Sequence, residues 1–175
     1  MKKYIRIVAG QYRRTPIEVV EAEGLRPTPD RVRETLFNWL NYFWGGEFSD
    51  KRVLDLFAGT GALGFEAASR GVAHVQMVEQ QPKALAALRA LRDKIGANMV
   101  HIHAGDAKVV LDRLEAARFD LIFLDPPFGQ NWLEFLWPKL ADLLEPNGLV
   151  YIEAEKTIIM PSGYILLLQD RAGAV

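Results

Sequence analysis

The stretch "RVLDLFAGTGALGFEAASRG", Arg52 to Gly71, decides the fold because its periodicity changes halfway. "RVLDLF" is an apolar run of strand length, while "GALGFEAASRG" is helical and closes on Gly71. Between them Gly59, Gly61 and Gly64 satisfy G-x-G-x-x-G. Glycine there permits a tight turn and a close approach of backbone to ligand, and the helix start offers free N–H donors. The alternation continues downstream. "HVQMVE" precedes "PKALAALRALRDKIG", "MVHIHAG" precedes "AKVVLDRLEAA", "FDLIFLD" precedes "WLEFLWPKLADLL", and "GLVYIEAE" is linked to "YILLLQD". Pro82 opens one helix and Gly96 closes it. Five such units predict an α/β fold, a mainly parallel twisted sheet with helices on both faces. In sheets of this kind ligands bind beyond the C-terminal ends of the strands.

Upstream of the sheet, "YIRIVAG" and "TPIEVV" flank a polar "QYRR" turn and predict a small β-hairpin. The segment "LRPTPDRVRETLFNWLNYF" then has helical spacing, with Val32, Leu36, Trp39, Leu40 and Phe43 on one stripe. Thr28 is its expected N-cap and Pro29 its first helical residue. Residues 1–27 thus read as an N-terminal extension, and 28–175 as one globular unit with a small helix at its start.

Composition narrows the function classes. The 175 residues are 50% hydrophobic and 25% charged, a globular mixture. No apolar run is long enough to cross a membrane, and "MKKYIRIVAGQYRR" lacks a signal-peptide core, so a cytoplasmic protein is expected. The absence of cysteine excludes disulfides, thiolate metal sites and sulfur nucleophiles. The net charge of −1 conceals a basic start: residues 1–35 hold eight Lys or Arg against five acids. That start is either a solvated arm or a footprint for a polyanion.

The strand ends carry the chemistry. Glu79, twenty residues past Gly59, is placed to accept hydrogen bonds from ribose hydroxyls. These features alone suit a nicotinamide dinucleotide as well as S-adenosylmethionine. Asp55 tilts the choice, because a carboxylate before the glycine loop would repel a pyrophosphate and attract a cationic amino-acid moiety. Asp106, in "GDA", is an acceptor for an exocyclic amine such as that of adenine, or the N-cap of the helix starting at Ala107.

The fourth strand ends in "DPPF", Asp125 to Phe128. Pro126 and Pro127 fix φ and remove N–H donors, leaving the Asp125 carboxylate and a backbone carbonyl as stiff acceptors for a planar NH2 group. Phe128 offers a face on which a flat ring can stack. Orienting the amine lone pair toward a sulfonium methyl would let positioning and electrostatics carry catalysis. No separate base is needed early, because the amine becomes strongly acidic as it is alkylated.

At these residues the chain resembles the Rossmann-like class I methyltransferases that use S-adenosylmethionine to methylate amino groups. More narrowly, "RPTPDRVRETLFNWL", "DLFAGTGALGFEAASRG" and "FDLIFLDPPF" resemble the RsmD family, bacterial methyltransferases of small-subunit ribosomal RNA that modify the exocyclic N2 amine of a guanine. The resemblance runs from about Arg6 to about Val150. It implies that Asp55, Phe57, Gly59, Thr60 and Gly61 form the methionine-binding loop, that Glu79 binds ribose, and that Asp106 and Ala107 contact adenine. Asp125, Pro126, Pro127 and Phe128 match the catalytic motif. Arg26, Arg31 and Arg33, with Arg6, Arg13 and Arg14, would meet RNA. Pro29 stands where the family usually has threonine, and "QDRAGAV" stands where the fold adds a further antiparallel strand, so a thin sheet edge is expected. The implied partner is the RNA or the assembling subunit, with the protein a monomer and no metal.

Other readings are weaker. Trp132, Phe135 and Leu136 have helical spacing and read as packing, and Pro138 as a kink. His74 is expected apart from His101 and His103, which argues against a metal site. The same motif serves methylation of DNA or a protein glutamine amide in other families, but only about fifty residues precede the sheet, too few for a DNA-reading domain. An NAD-dependent oxidoreductase has no use for "DPPF", and a non-catalytic RNA-binding protein has no need of the strand-end acids.

Overall fold

The computed structural model describes residues 1–21, 26–114 and 117–171. The hairpin consists of β1 (Lys3–Arg6) and β2 (Pro16–Val19), antiparallel, and is followed by α1 (Asp30–Phe43). Strands β3 (Arg52–Asp55), β4 (His74–Glu79), β5 (Val100–Ala104), β6 (Phe119–Leu124) and β7 (Leu144–Ile152) then alternate with α2 (Ala62–Ser69), α3 (Pro82–Ile95), α4 (Ala107–Arg113) and α5 (Trp132–Leu143). The five strands form one parallel sheet in the order β5-β4-β3-β6-β7. Chain direction across the sheet reverses between β3 and β6, the switch point where such sheets open a crevice.

Strand alternation sorts most apolar strand residues into two layers. Val53, Val75, Met77, Val100, Leu121 and Phe123 pack with α1, α2 and α3. Leu54, Leu56, Val78, Ile122 and Leu124 pack with α4 and α5. Helix α2 is buried on all sides, since the hairpin and α1 cover the surface it turns away from the sheet.

The hairpin is docked rather than free. Ile7 and Ile17 lie in the core, Gln11 N–H donates to the Ser69 carbonyl at 2.8 Å, and Val8 N–H donates to Glu66 Oε2 at 2.9 Å. Gly10 has φ of +85°, and a Cβ there would lie 1.9 Å from the Ser69 carbonyl oxygen. No other residue fits this approach.

Three expectations are corrected. Pro29, not Thr28, is the N-cap of α1; the Thr28 hydroxyl instead donates to Glu153 Oε1 at 2.9 Å, a tertiary contact that outbids local capping. Strand β7 begins at Leu144 rather than Gly148, taking in "EPNG" as an irregularity with Asn147 at φ +62°. "YILLLQD" forms no strand: lacking a paired neighbour, Ile165 to Leu168 are exposed, and β7 is the sheet edge among the described residues. The end of "AKVVLDRLEAA" falls on residues 115–116 and the end of "QDRAGAV" on 172–175, outside the described residues.

Candidate active site

The five parallel strands each bring an acid to their C-terminal ends: Asp55 on β3, Glu79 on β4, Asp106 beyond β5, Asp125 beyond β6 and Glu153 beyond β7. Asp55, Asp125 and Glu153 continue the strand alternation of Val53, Phe123 and Tyr151, so they stand on the α1–α2 side of the rim.

Asp55 is buried, and its Oδ2 accepts the Gly64 N–H at 3.1 Å. Gly64 is needed for this contact, because a Cβ there would lie 3.0 Å from that oxygen and 2.5 Å from Met77 Cε. Gly61, at φ +83°, would meet Leu88 and Phe65 at 2.6 Å. The second and third glycines therefore let α2 pack against the sheet and its acid. Burial, opposed by the Gly64 N–H and reinforced by the charges of Glu79 and Glu153, pushes the Asp55 carboxyl up to about 7. Among the described residues no Lys, Arg or His forms an ion pair with it. An acid of this kind fits a cationic ligand group and opposes an anionic one.

Glu79 ties the loop together. Its Oε2 accepts Gly59 N–H at 2.8 Å, and its Oε1 accepts the N–H groups of Gln80 and Gln81 at 2.9 Å. Thr60, next to Gly59 in the loop, is buried, and Phe57 is half-buried edge-on to Trp132, with ring centroids 5.0 Å apart. Asp106 caps α4 by accepting Lys108 N–H at 2.8 Å, leaving its second oxygen for another donor, and Ala107 is buried at the first helical position.

Asp125 is partly buried, Pro127 and Phe128 are exposed, and the Phe128 ring is 52% accessible, open to stacking. Burial first, then the charges of Glu153 and Asp55 and a hydrogen bond with Glu153, raise the Asp125 carboxyl to about 8. Glu153 was not singled out in the sequence. Its signal was present, since it follows the last strand residue of "GLVYIEAE" as Asp125 follows "FDLIFL". Tyr151 and Thr28, which both donate to Glu153 Oε1, could be found only from the fold.

Arg6, Arg13 and Arg14 are exposed on the hairpin, and Arg26 and Arg31 are exposed before and within the first turn of α1. Arg33 is not an RNA-facing residue. Its guanidinium is fully buried, donating to the carbonyls of Arg6 (2.7 Å) and Thr28 (3.1 Å), paired with Asp30, and 3.8 Å from Glu66. A cavity of about 660 Å³ lined by Gly10, Arg13, Glu34, Asn38 and Arg70 opens beside the hairpin, and none of the strand-end acids lines it.

Trp132 and Leu136 pack in the core as their spacing predicts. The expected separation of the histidines fails in one respect: His74 and His101 stack at 4.6 Å, because β4 and β5 place them as diagonal neighbours. Burial and the charges of Arg52 and His101 lower His74 to about 4. This pair sits away from the C-terminal rim.

Comparisons with known proteins agree with this fold. The family described as conserved hypothetical protein 95 matches residues 5–173. The chain is 37% identical to the ribosomal RNA small subunit methyltransferase D of Haemophilus influenzae, over 99% of this chain and 92% of that protein. It is 39% identical to the protein of that name in Escherichia coli K12, over 86% of this chain and 75% of the other. The solved structure of Escherichia coli yhhF, described as a candidate methyltransferase, superposes with a TM-score of 0.81 at 35% identity, covering 98% and 93% of the two chains.

Proposed function

We propose a reaction from one premise: the chain belongs to the conserved hypothetical protein 95 family, that of the ribosomal RNA small subunit methyltransferases D. It transfers a methyl group from S-adenosylmethionine to the exocyclic N2 amine of a guanine in small-subunit ribosomal RNA, with the assembling subunit as its partner. The observation that carries this reading is the meeting of "DPPF" with the buried Asp55 at the switch point of the sheet, an acceptor array beside a site for a cation.

When bound, S-adenosylmethionine supplies an electrophilic methyl on a sulfonium. Asp55 and the loop Phe57, Gly59, Thr60 and Gly61 would hold its amino-acid end, Glu79 its ribose, and Asp106 with Ala107 its adenine. Asp125 accepts one N–H of the target amine, and the proline-stiffened backbone accepts the other, which turns the nitrogen lone pair toward the methyl. Phe128 holds the extruded base by stacking, a contact worth about 1–3 kcal/mol. Arg26 and Arg31 face the phosphates on the side from which the base arrives. Asp55 weighs against a dinucleotide, whose pyrophosphate it would repel.

The test is transfer of labelled methyl to three acceptors in parallel: small subunits lacking the modification, naked RNA from them, and duplex DNA. Label on the guanine N2 amine of the subunits or their RNA is the expected result. Label on DNA alone, or on none of the three despite cofactor binding, would overturn it.

A further inference from the structure

The strand-end acids are not equivalent. Strands β6 and β7 are in register at Leu124 and Ile152, and Glu153 N–H donates to the Leu124 carbonyl at 2.9 Å. Asp125 and Glu153 are therefore lateral neighbours on one side of the rim, both continuing the strand alternation toward α1 and α2. Two carboxyl groups so placed repel each other when both are ionised, and one proton held between them relieves that repulsion. Glu153 Oε1 also accepts the hydroxyls of Thr28 and Tyr151, at 2.9 and 3.1 Å. The other charged group facing the pair is Asp55 from β3, and Asp170 acts on Tyr151 from the C-terminal segment. Among the described residues no Lys, Arg or His forms an ion pair with either acid, so no such pair offsets their mutual repulsion.

We propose that Glu153 is a positioning residue acting through Asp125, the two carboxyl groups holding one proton between them and receiving the second proton shed by the methylated amine. This deepens the function proposed above and rests on it. The shared proton leaves the pair with one negative charge, matched to the single positive charge of a sulfonium. As the N–C bond forms and the S–C bond breaks, the positive charge moves to the substrate nitrogen. Its N–H proton then passes to Asp125, the pair becomes neutral, and one proton is released to water as product leaves. The Thr28 hydroxyl links this acid pair to the segment that carries Arg26 and Arg31. The Asp125 carboxyl, held near 8 by burial and by Glu153, is consistent with retention of that proton at neutral pH.

A carboxyl-carbon NMR titration of the free chain tests the pair without any substrate. The unaltered chain is expected to show a step near pH 8 that Asp125→Asn abolishes. Glu153→Gln removes the like charge and is expected to move the step down by about one unit or more. Thr28→Val, which deletes a hydrogen bond to the charged form, moves it up. A step that stays in place in Glu153→Gln would overturn the proposal. In methyl transfer, the alkaline limb of the kcat/KM profile, where the unaltered pair loses its shared proton, is expected to disappear in Glu153→Gln, while cofactor affinity stays within about twofold. A uniform loss at every pH, with a lowered Tm, would reduce Glu153 to a structural residue. If the unaltered chain methylated none of the acceptors, the substrate reading would fail while the titration still decided the pair.

Discussion

Asp55 shows how one residue couples stability to function. Its carboxyl titrates near 4 when unfolded and is raised to about 7 when folded. Between those values the folded chain binds more protons than the unfolded one, so this group lowers stability as pH rises from about 4 to about 7 and keeps it lowered above. On the proposed function, a cationic ligand group would offset this buried charge. Asp55→Asn is therefore expected to raise the Tm of the cofactor-free chain at about pH 8, to change it little at about pH 4, and to weaken S-adenosylmethionine binding at least tenfold by calorimetry. An unchanged Tm difference across that range would show that burial of this charge is not the source of the strain. The sequence placed Asp55 at a strand end before the glycine loop, because that is a local pattern. It could not reveal that Gly64, nine residues on, would be its hydrogen-bond donor.

At the scale of elements, the start of α1 held two arginines that the sequence treats alike. Arg31 is exposed, while Arg33, two residues on, points into the junction of hairpin, α1 and α2. Two residues, about half a helical turn, separate opposite faces, but which face meets the hairpin depends on where β1 ends and on the buried Glu66 of α2. Arg33→Ala would leave Glu66 without one of its cations and the carbonyls of Arg6 and Thr28 without donors. A loss of about 3–5 kcal/mol in urea unfolding is expected. Arg31→Ala should leave unfolding unchanged and weaken RNA binding instead. Equal effects of the two substitutions on stability would contradict the strap. The hairpin itself was legible from its turn and β-prone flanks, whereas its attachment through Gly10 and Ser69 joins residues far apart in sequence.

Over the molecule as a whole, charge sets how RNA is met. A chain of net charge −1 gains little from long-range attraction, and seven exposed basic groups fall within residues 1–35, Arg6, Arg13, Arg14, Arg26 and Arg31 among them. Replacing Arg13 and Arg14 together by Gln is expected to lower the slope of log affinity against log salt by about 1.5 in filter binding to small-subunit RNA, if each meets a phosphate. An unchanged slope would move the RNA face elsewhere. The sequence by itself determined the order of strands and helices, the glycine loop and four of the five strand-end acids, because periodicity, turn residues and strand ends are written within a few neighbouring positions. Only the tertiary structure decided that Arg33 is a buried strap, that His74 stacks on His101, that Thr28 reaches Glu153 instead of capping its own helix, and that Glu153 stands beside Asp125. Each of those pairings depends on which strands lie side by side and which faces they share, and that is set by packing of the entire chain rather than by any local stretch.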